Sequence, residues 1–242
     1  MDNLENAETE ASRFDLEAIA KDQITFYSDL MAMYEGTPMA VSSESFAHKD
    51  VRYHEIVRVF EGADFTVHDV GMGLGGFYDY LESRGILDRL GILYSGSEIV
   101  SSYVDEFRRR RPGVSIHCRN IVEEHPQESY DYLVLSGVFH QMRSTGVDKW
   151  EDYMRAILSS AYSVTRRAVI FNTTSPFVDY RTDGVYYPDL HDLLKWIRTK
   201  LGRFFSISHN YALYEMTLAV YKPDFIQRKF SQPEVQKYFS KS

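Results

Sequence analysis

The stretch Val67-His68-Asp69-Val70-Gly71-Met72-Gly73-Leu74-Gly75-Gly76-Phe77 leaves a β-rich run and enters a helical one. Two spacings coexist in it. Gly71, Gly73 and Gly76 fit GxGxxG, the fingerprint of dinucleotide-binding turns, while Asp69, Gly71, Gly73 and Gly75 fit DxGxGxG. Glycines keep such a turn free of side chains, so its backbone can approach a ligand. Asp69 separates the readings. Two like charges ~4 Å apart repel by roughly 4 kcal/mol at an effective dielectric of ~20. A carboxylate at the strand end therefore opposes a diphosphate and attracts an ammonium or sulfonium, directly or through a water.

A second acid, Glu98, ends the next β-rich run, 27 residues beyond Gly71. There it can accept both hydroxyls of a ribose, or cap the helix that begins at Ile99. After a third run, the Asn120 side-chain oxygen can accept from an adenine amino group while the Ile121 amide serves the ring, or Asn120 can simply make a turn. The fourth run, 130–140, opens at Ser136 and Gly137, which places Phe139, His140 and Gln141 over the carboxyl edge of the sheet, where ligands bind in open α/β folds.

These positions need a sheet to hold them. From Phe65 onward short β-rich runs alternate with helical ones: strands at 65–70, 91–95, 114–118, 132–136 and 168–172, helices from about 75 and at 99–111 and 149–164. That alternation predicts a parallel sheet covered by helices. After a helix at 190–201, strands at 204–208 and 216–221 lie too close in sequence to run parallel, so the sheet ends in an antiparallel hairpin. Ahead of the first strand, apolar residues from Leu16 to Tyr34 and from Tyr53 to Phe60 recur at helical spacing. The expected organisation is an α/β fold with a Rossmann-like, mostly parallel, seven-stranded sheet: an acidic disordered leader at 1–14, a helical cap at 15–64, the ligand-binding core at 65–222 and a polar tail at 223–242.

Composition narrows the classes. The 242 residues are 44% hydrophobic and 26% charged, the profile of a folded domain and not of a fibrous or disordered chain. The net charge is −8, and the first 17 residues hold six acids against Arg13, which repels nucleic acid. Arg108 to Arg111 is read as favouring the negative end of the 99–111 helix. No apolar run approaches a membrane span, and no basic start leads into an apolar stretch, so a cytoplasmic location is expected. With one cysteine, Cys118, and scattered histidines, neither a disulfide nor a metal site is expected.

Taken in order, the glycine turn at 69–75, Glu98, Asn120, the strand beginning Tyr130-Asp131-Tyr132-Leu133 and the terminal hairpin resemble the class I S-adenosylmethionine (SAM)-dependent methyltransferases over residues 15–222. The chain is most similar to small bacterial members with Asn172-Thr173-Thr174-Ser175 after the fifth strand, an aromatic insert such as Val178-Asp179-Tyr180-Arg181, and His209-Asn210-Tyr211 at the hairpin. Asn210 departs from the Asp-Tyr pair associated with that hairpin, which removes support for an acid/base role there.

The resemblance implies methyl transfer from SAM and no particular substrate; transfer to a nitrogen or oxygen atom of a small molecule, in specialised metabolism, is the reaction expected of the chain. It implies cofactor contacts from Asp69, Gly71, Gly73, Gly75, Glu98, Asn120, Ile121 and Ser136, with Tyr27 and Arg52 closing over the methionine and Arg52 pairing to its carboxylate. His140 and His209 are the candidate bases for an acceptor that must lose a proton. Phe177, Tyr180, Tyr186, Tyr187 and Tyr211 are candidates for an acceptor wall; the insert rings can equally cover one end of the sheet. The small-molecule acceptor is the expected partner, and a homo-oligomer is compatible with the sequence. Two other readings remain open at this stage: an NAD-dependent oxidoreductase, and a methyltransferase-like partner subunit that binds SAM without catalysis.

Overall fold

The computed structural model describes residues 2–34, 37–43 and 45–239, with side chains described from Phe14 onward except at Pro38. The chain begins with helix α1, Asp2–Tyr34, then a single 3-10 turn, Pro38–Val41, and α2, Phe46–Val57. Ser45 caps α2 by accepting from the His48 N–H at 3.2 Å. The expected disordered leader falls, apart from Phe14, on residues whose side chains lie outside the described ones.

The core then follows as β1 (Phe65–Val70), α3 (Gly76–Ser83), α4 (Ile86–Leu90), β2 (Ile92–Glu98), α5 (Ser101–Arg110), β3 (Ser115–Cys118), β4 (Tyr130–Leu135), α6 (Val147–Ser163), β5 (Thr165–Thr174), α7 (Leu190–Trp196), β6 (Phe205–Ser208) and β7 (Glu215–Tyr221). The last turn of the expected 190–201 helix is a π turn, Ile197–Leu201. Two short helices, α8 (Pro223–Lys229) and α9 (Pro233–Gln236), run through the stretch expected as a polar tail. Their prolines open each helix, where a missing N–H costs nothing.

Seven strands form one sheet in the order β3-β2-β1-β4-β5-β7-β6. All neighbouring pairs are parallel except those made by β7, which runs against both β5 and β6, as the hairpin argument requires. Strand order reverses at β1, whose neighbours are β2 on one side and β4 on the other; Val67 pairs with Tyr94 and with Tyr132. That reversal opens a crevice at the carboxyl edge of the sheet.

Alternation along the strands fills two cores. Phe65, Val67, Tyr132 and Val134 pack with α2, α3 and α4 on one face. Val70, Leu133, Leu135 and Phe171 pack with α1, α6 and α7 on the other. Phe139, expected over the carboxyl edge, is fully buried in this second core, its ring edge-on to Phe171 at 5.8 Å. The arginine run is absorbed by ion pairs and carbonyl contacts: Arg109 with Glu106, Arg110 and Arg111 with Asp79, and Arg108 donating to the Ile116 carbonyl at 2.8 Å.

Candidate functional site

The glycine turn and Glu98 are one unit. Glu98 Oε2 accepts the Gly73 N–H at 2.8 Å, and Oε1 accepts the N–H groups of Ile99 at 2.8 Å and Val100 at 3.0 Å. Both readings of Glu98 are therefore present in one side chain: it secures the entry to α5 and it also lines a cavity at the sheet edge. Burial pushes its carboxyl upward, opposed by the three backbone N–H bonds. Gly71 and Gly75 both have left-handed backbones, at φ +69° and +77°. A Cβ on Gly75 would stand 2.1 Å from the Phe107 ring, and one on Gly71 would stand 2.8 Å from Val138, so the turn admits no side chain at either position.

Asp69 does not line the cavity. By alternation it shares the face of Phe65 and Val67, beneath the turn and toward α2 and α3. It is 1% exposed; Oδ2 accepts the Tyr94 hydroxyl at 2.8 Å and Oδ1 has no partner among the described residues. Burial pushes its carboxyl up to about 7, Glu98 adds to the rise, and the Tyr94 bond opposes it. On the opposite face, His68 stacks on Tyr130 at 4.4 Å and its ring nitrogens meet Ser95 and Ser97 at 2.8 and 3.1 Å. Burial, with Arg119 and His117 nearby, lowers it to about 3.

The rim comes from α2. Arg52 lines the cavity but is held from behind by Glu215 at the start of β7: Nε donates to Oε1 at 2.9 Å and to Oε2 at 2.7 Å, and Nη2 also donates to Oε1. Asn172 Nδ2 donates to Glu215 Oε2 at 2.7 Å, while its Oδ1 accepts the Gly137 N–H at 2.8 Å. Burial alone would raise the Glu215 carboxyl, but His140 and Arg52 outweigh it and hold it well below the usual carboxylate range. His140 lines the cavity with Nε2 3.5 Å from Glu215 Oε1, and neither ring nitrogen has a hydrogen-bond partner among the described residues. One turn before Arg52, Lys49 also lines the cavity and has no ion-pair partner among the described residues.

Asn120, Ile121 and Ser136 also line the cavity. Asn120 makes the turn: Oδ1 accepts the Val122 N–H at 3.1 Å and Nδ2 donates to Glu123 at 2.8 Å. Arg119 enters the lining unannounced by any motif, 9% exposed, with Nε and Nη2 buried and without hydrogen-bond partners among the described residues. The roof is the N-terminal cap. Tyr27 lines the cavity, and the Tyr103 hydroxyl lies 2.9 Å from its carbonyl and in contact with that of Ala40. Gln23 donates to the Gln141 carbonyl at 3.1 Å, and Gln141 donates to Ser42 at 3.0 Å.

Several expected site residues stand elsewhere. His209 is exposed, 6.0 Å from the Phe177 ring, and outside the cavity. Tyr180 is 69% exposed against Tyr214; Tyr186 is buried and donates to Glu151 at 3.0 Å; Tyr187 accepts from the Thr182 N–H; Tyr211 meets the Thr217 hydroxyl at 3.0 Å. None of these four lines the cavity. Lys49 and Gln23 carry no local signature, because each reaches its place from a cap helix distant in sequence from the glycine turn.

No family model matches the chain. A Mycobacterium tuberculosis protein named "Putative methyltransferase Rv1506c" is 30% identical to it over 170 residues, which are 69% of this chain and 99% of that one. Among solved structures, the complex described as DhpI-SAM-HEP superposes with a TM-score of 0.57 at 14% identity, covering 83% of this chain and 96% of that one. The N-methyltransferase NodS of Bradyrhizobium japonicum, solved with S-adenosyl-L-homocysteine (SAH), superposes at 0.55 and 12% identity, covering 81% and 96%. Magnesium protoporphyrin IX methyltransferase of Synechocystis PCC 6803, solved with SAM, superposes at 0.51 and 16% identity, covering 73% and 79%. At these identities the superpositions show a shared fold.

Proposed function

Because the chain belongs to the class I SAM-dependent methyltransferases, we propose that it moves a methyl group from SAM to an oxygen or nitrogen atom of a small molecule, in a specialised metabolic role. One observation carries the reading: a cavity at the carboxyl edge of the sheet, beside the strand reversal, joins a glycine turn, a buried acid and a histidine 3.5 Å from Glu215.

The residues present suit the cofactor. The turn at Gly71, Gly73 and Gly75 gives close backbone approach, and Glu98 keeps lone-pair capacity on Oε2 for a ribose hydroxyl. Asn120 and Ile121 flank the space for the purine, with Ser136 and Tyr27 enclosing the middle. Asp69, one layer below, acts on a cationic group through the turn, and its unpartnered Oδ1 is the orphan that such a charge would compensate. Arg52 is engaged by Glu215 through Nε and Nη2, and Lys49, with no ion-pair partner among the described residues, stands beside the glycine turn, so the carboxylate of a methionine falls to Lys49.

SAM supplies an electrophilic methyl group on a sulfonium. The protein's share of such a transfer is to hold the acceptor atom in line at near-contact distance and to exclude water. The cap residues Gln23, Tyr27, Val41 and Ser42 close the cavity over the turn. His140 takes the acceptor's proton, and Glu215, fixed by Arg52 and Asn172, is a positioning residue that steadies the resulting imidazolium.

Calorimetry with SAM, SAH and NAD tests the reading. SAM and SAH are expected to bind and NAD not; NAD binding without SAM binding defeats it.

A further inference from the structure

Resting on the methyltransferase reading, the charges around the cavity identify the class of acceptor. Among the described residues, the fully charged side chains lining it are Lys49, Arg52, Arg119 and Glu98, three cations and one carboxylate in a protein of net charge −8. Counting Glu215 behind Arg52 and Asp69 beneath the turn, these three cations meet three carboxylates. SAM itself brings two positive groups and one negative, so the cofactor gives the site a net positive charge. A second, anionic ligand corrects it.

Arg52 has the geometry to hold that ligand. Glu215 engages it side-on through Nε and Nη2, and Nη1 has no hydrogen-bond partner among the described residues. Nη1 lies over Gly137, 3.5 Å from where a Cβ on that glycine would be, in the part of the cavity that also holds His140. Lys49 serves the other end: Nζ lies 3.2 Å from the corresponding position on Gly76, at the foot of the glycine turn. Two cations one turn apart on α2 thus face two places, one beside the turn and one beside the candidate base. We infer that the acceptor carries an oxyanion, a carboxylate or a phosphate, which docks on the free Nη1 edge of Arg52 while Lys49 takes the carboxylate of the cofactor.

The test is calorimetry on the full chain saturated with SAH, titrated separately with inorganic phosphate and with acetate. At least one is expected to bind; phosphate alone points to a phosphorylated acceptor, acetate alone to a carboxylic acid. Arg52→Gln with Glu215→Gln removes both charges and strands no buried carboxylate. It is expected to weaken oxyanion binding about tenfold to hundredfold while changing SAH affinity less than about threefold. Lys49→Met is expected to weaken SAH about tenfold or more and leave the oxyanion in place. Binding of neither anion to the SAH complex overturns the inference, as does a loss of SAH affinity in the double variant equal to that of Lys49→Met. Failure of the unaltered chain to bind SAH at all defeats the methyltransferase reading instead.

Discussion

Glu98 and Gly73, 25 residues apart in sequence, are joined by a 2.8 Å hydrogen bond from the turn's N–H to the acid's Oε2. The second acid of the site thus shapes the first loop of the site, and any change at Glu98 acts on both. With three backbone donors relying on it, Glu98→Ala should cost stability of about 3 kcal/mol, since buried N–H groups left unpaired are expensive.

The same substitution should weaken SAH binding more than Asp69→Ala does, because Glu98 lines the cavity and Asp69 lies a layer beneath it. Arg109→Ala, on the outer face of α5, should leave affinity unchanged. Equal Kd values for all three variants by calorimetry would remove Glu98 and Asp69 from the site.

Gly75 and Gly85 offer a matched pair. Both are left-handed, at φ +77° and +62°, but a Cβ on Gly85 meets nothing within 4 Å whereas one on Gly75 meets Phe107 at 2.1 Å. Gly85→Ala should cost about 1 kcal/mol from backbone strain alone. Gly75→Ala adds overpacking and should cost about 3 kcal/mol or more in urea unfolding. Comparable midpoints would show that the Phe107 contact yields freely.

His68 and Asp69 point to opposite faces of β1 and carry opposite proton linkage. Asp69 is raised to about 7, so the native state holds a proton that the unfolded state has already released; stability falls as pH rises from about 4 to 7. His68 is lowered to about 3, so the unfolded state takes up the proton first; stability falls as pH drops from about 6.5 to 3. Between those limits the two slopes oppose each other. Asp69→Asn should therefore expose the histidine's slope, with its largest gain over the parent, up to ~4 kcal/mol, above pH 7. Unfolding curves at pH 5 and pH 8 check this; an unchanged difference between them would show that Asp69 does not titrate there.

His140→Asn should lower the rate of methyl transfer at least about hundredfold while leaving SAH affinity within about twofold, as expected for a base that does not hold the cofactor. His209→Asn should change neither, since that ring is exposed and away from the cavity. Initial rates and calorimetry on the two variants decide between the histidines.

Local pattern was enough for the order and type of the major elements, for the glycine turn and for the placement of Glu98. These depend on spacing within about 30 residues: alternation in strands, three-four periodicity in helices, and backbone angles that only glycine adopts readily. Asp69 was legible as an acid at the end of a strand. That it points under the turn, away from the cavity, followed only once the faces of β1 were fixed by what packs on each. Arg52 was legible as a cation on a cap helix, but its commitment to Glu215 spans 163 positions and arises where α2 meets β7. Lys49, Arg119 and the cap closure through Gln23 and Gln141 depend in the same way on long-range docking. Neighbours in sequence are bound by geometry that any reader of the chain can apply; charges and side chains from distant elements meet only where burial of apolar surface has brought those elements together, and that docking determined which cation is free, which acid is spent and which histidine faces the cavity.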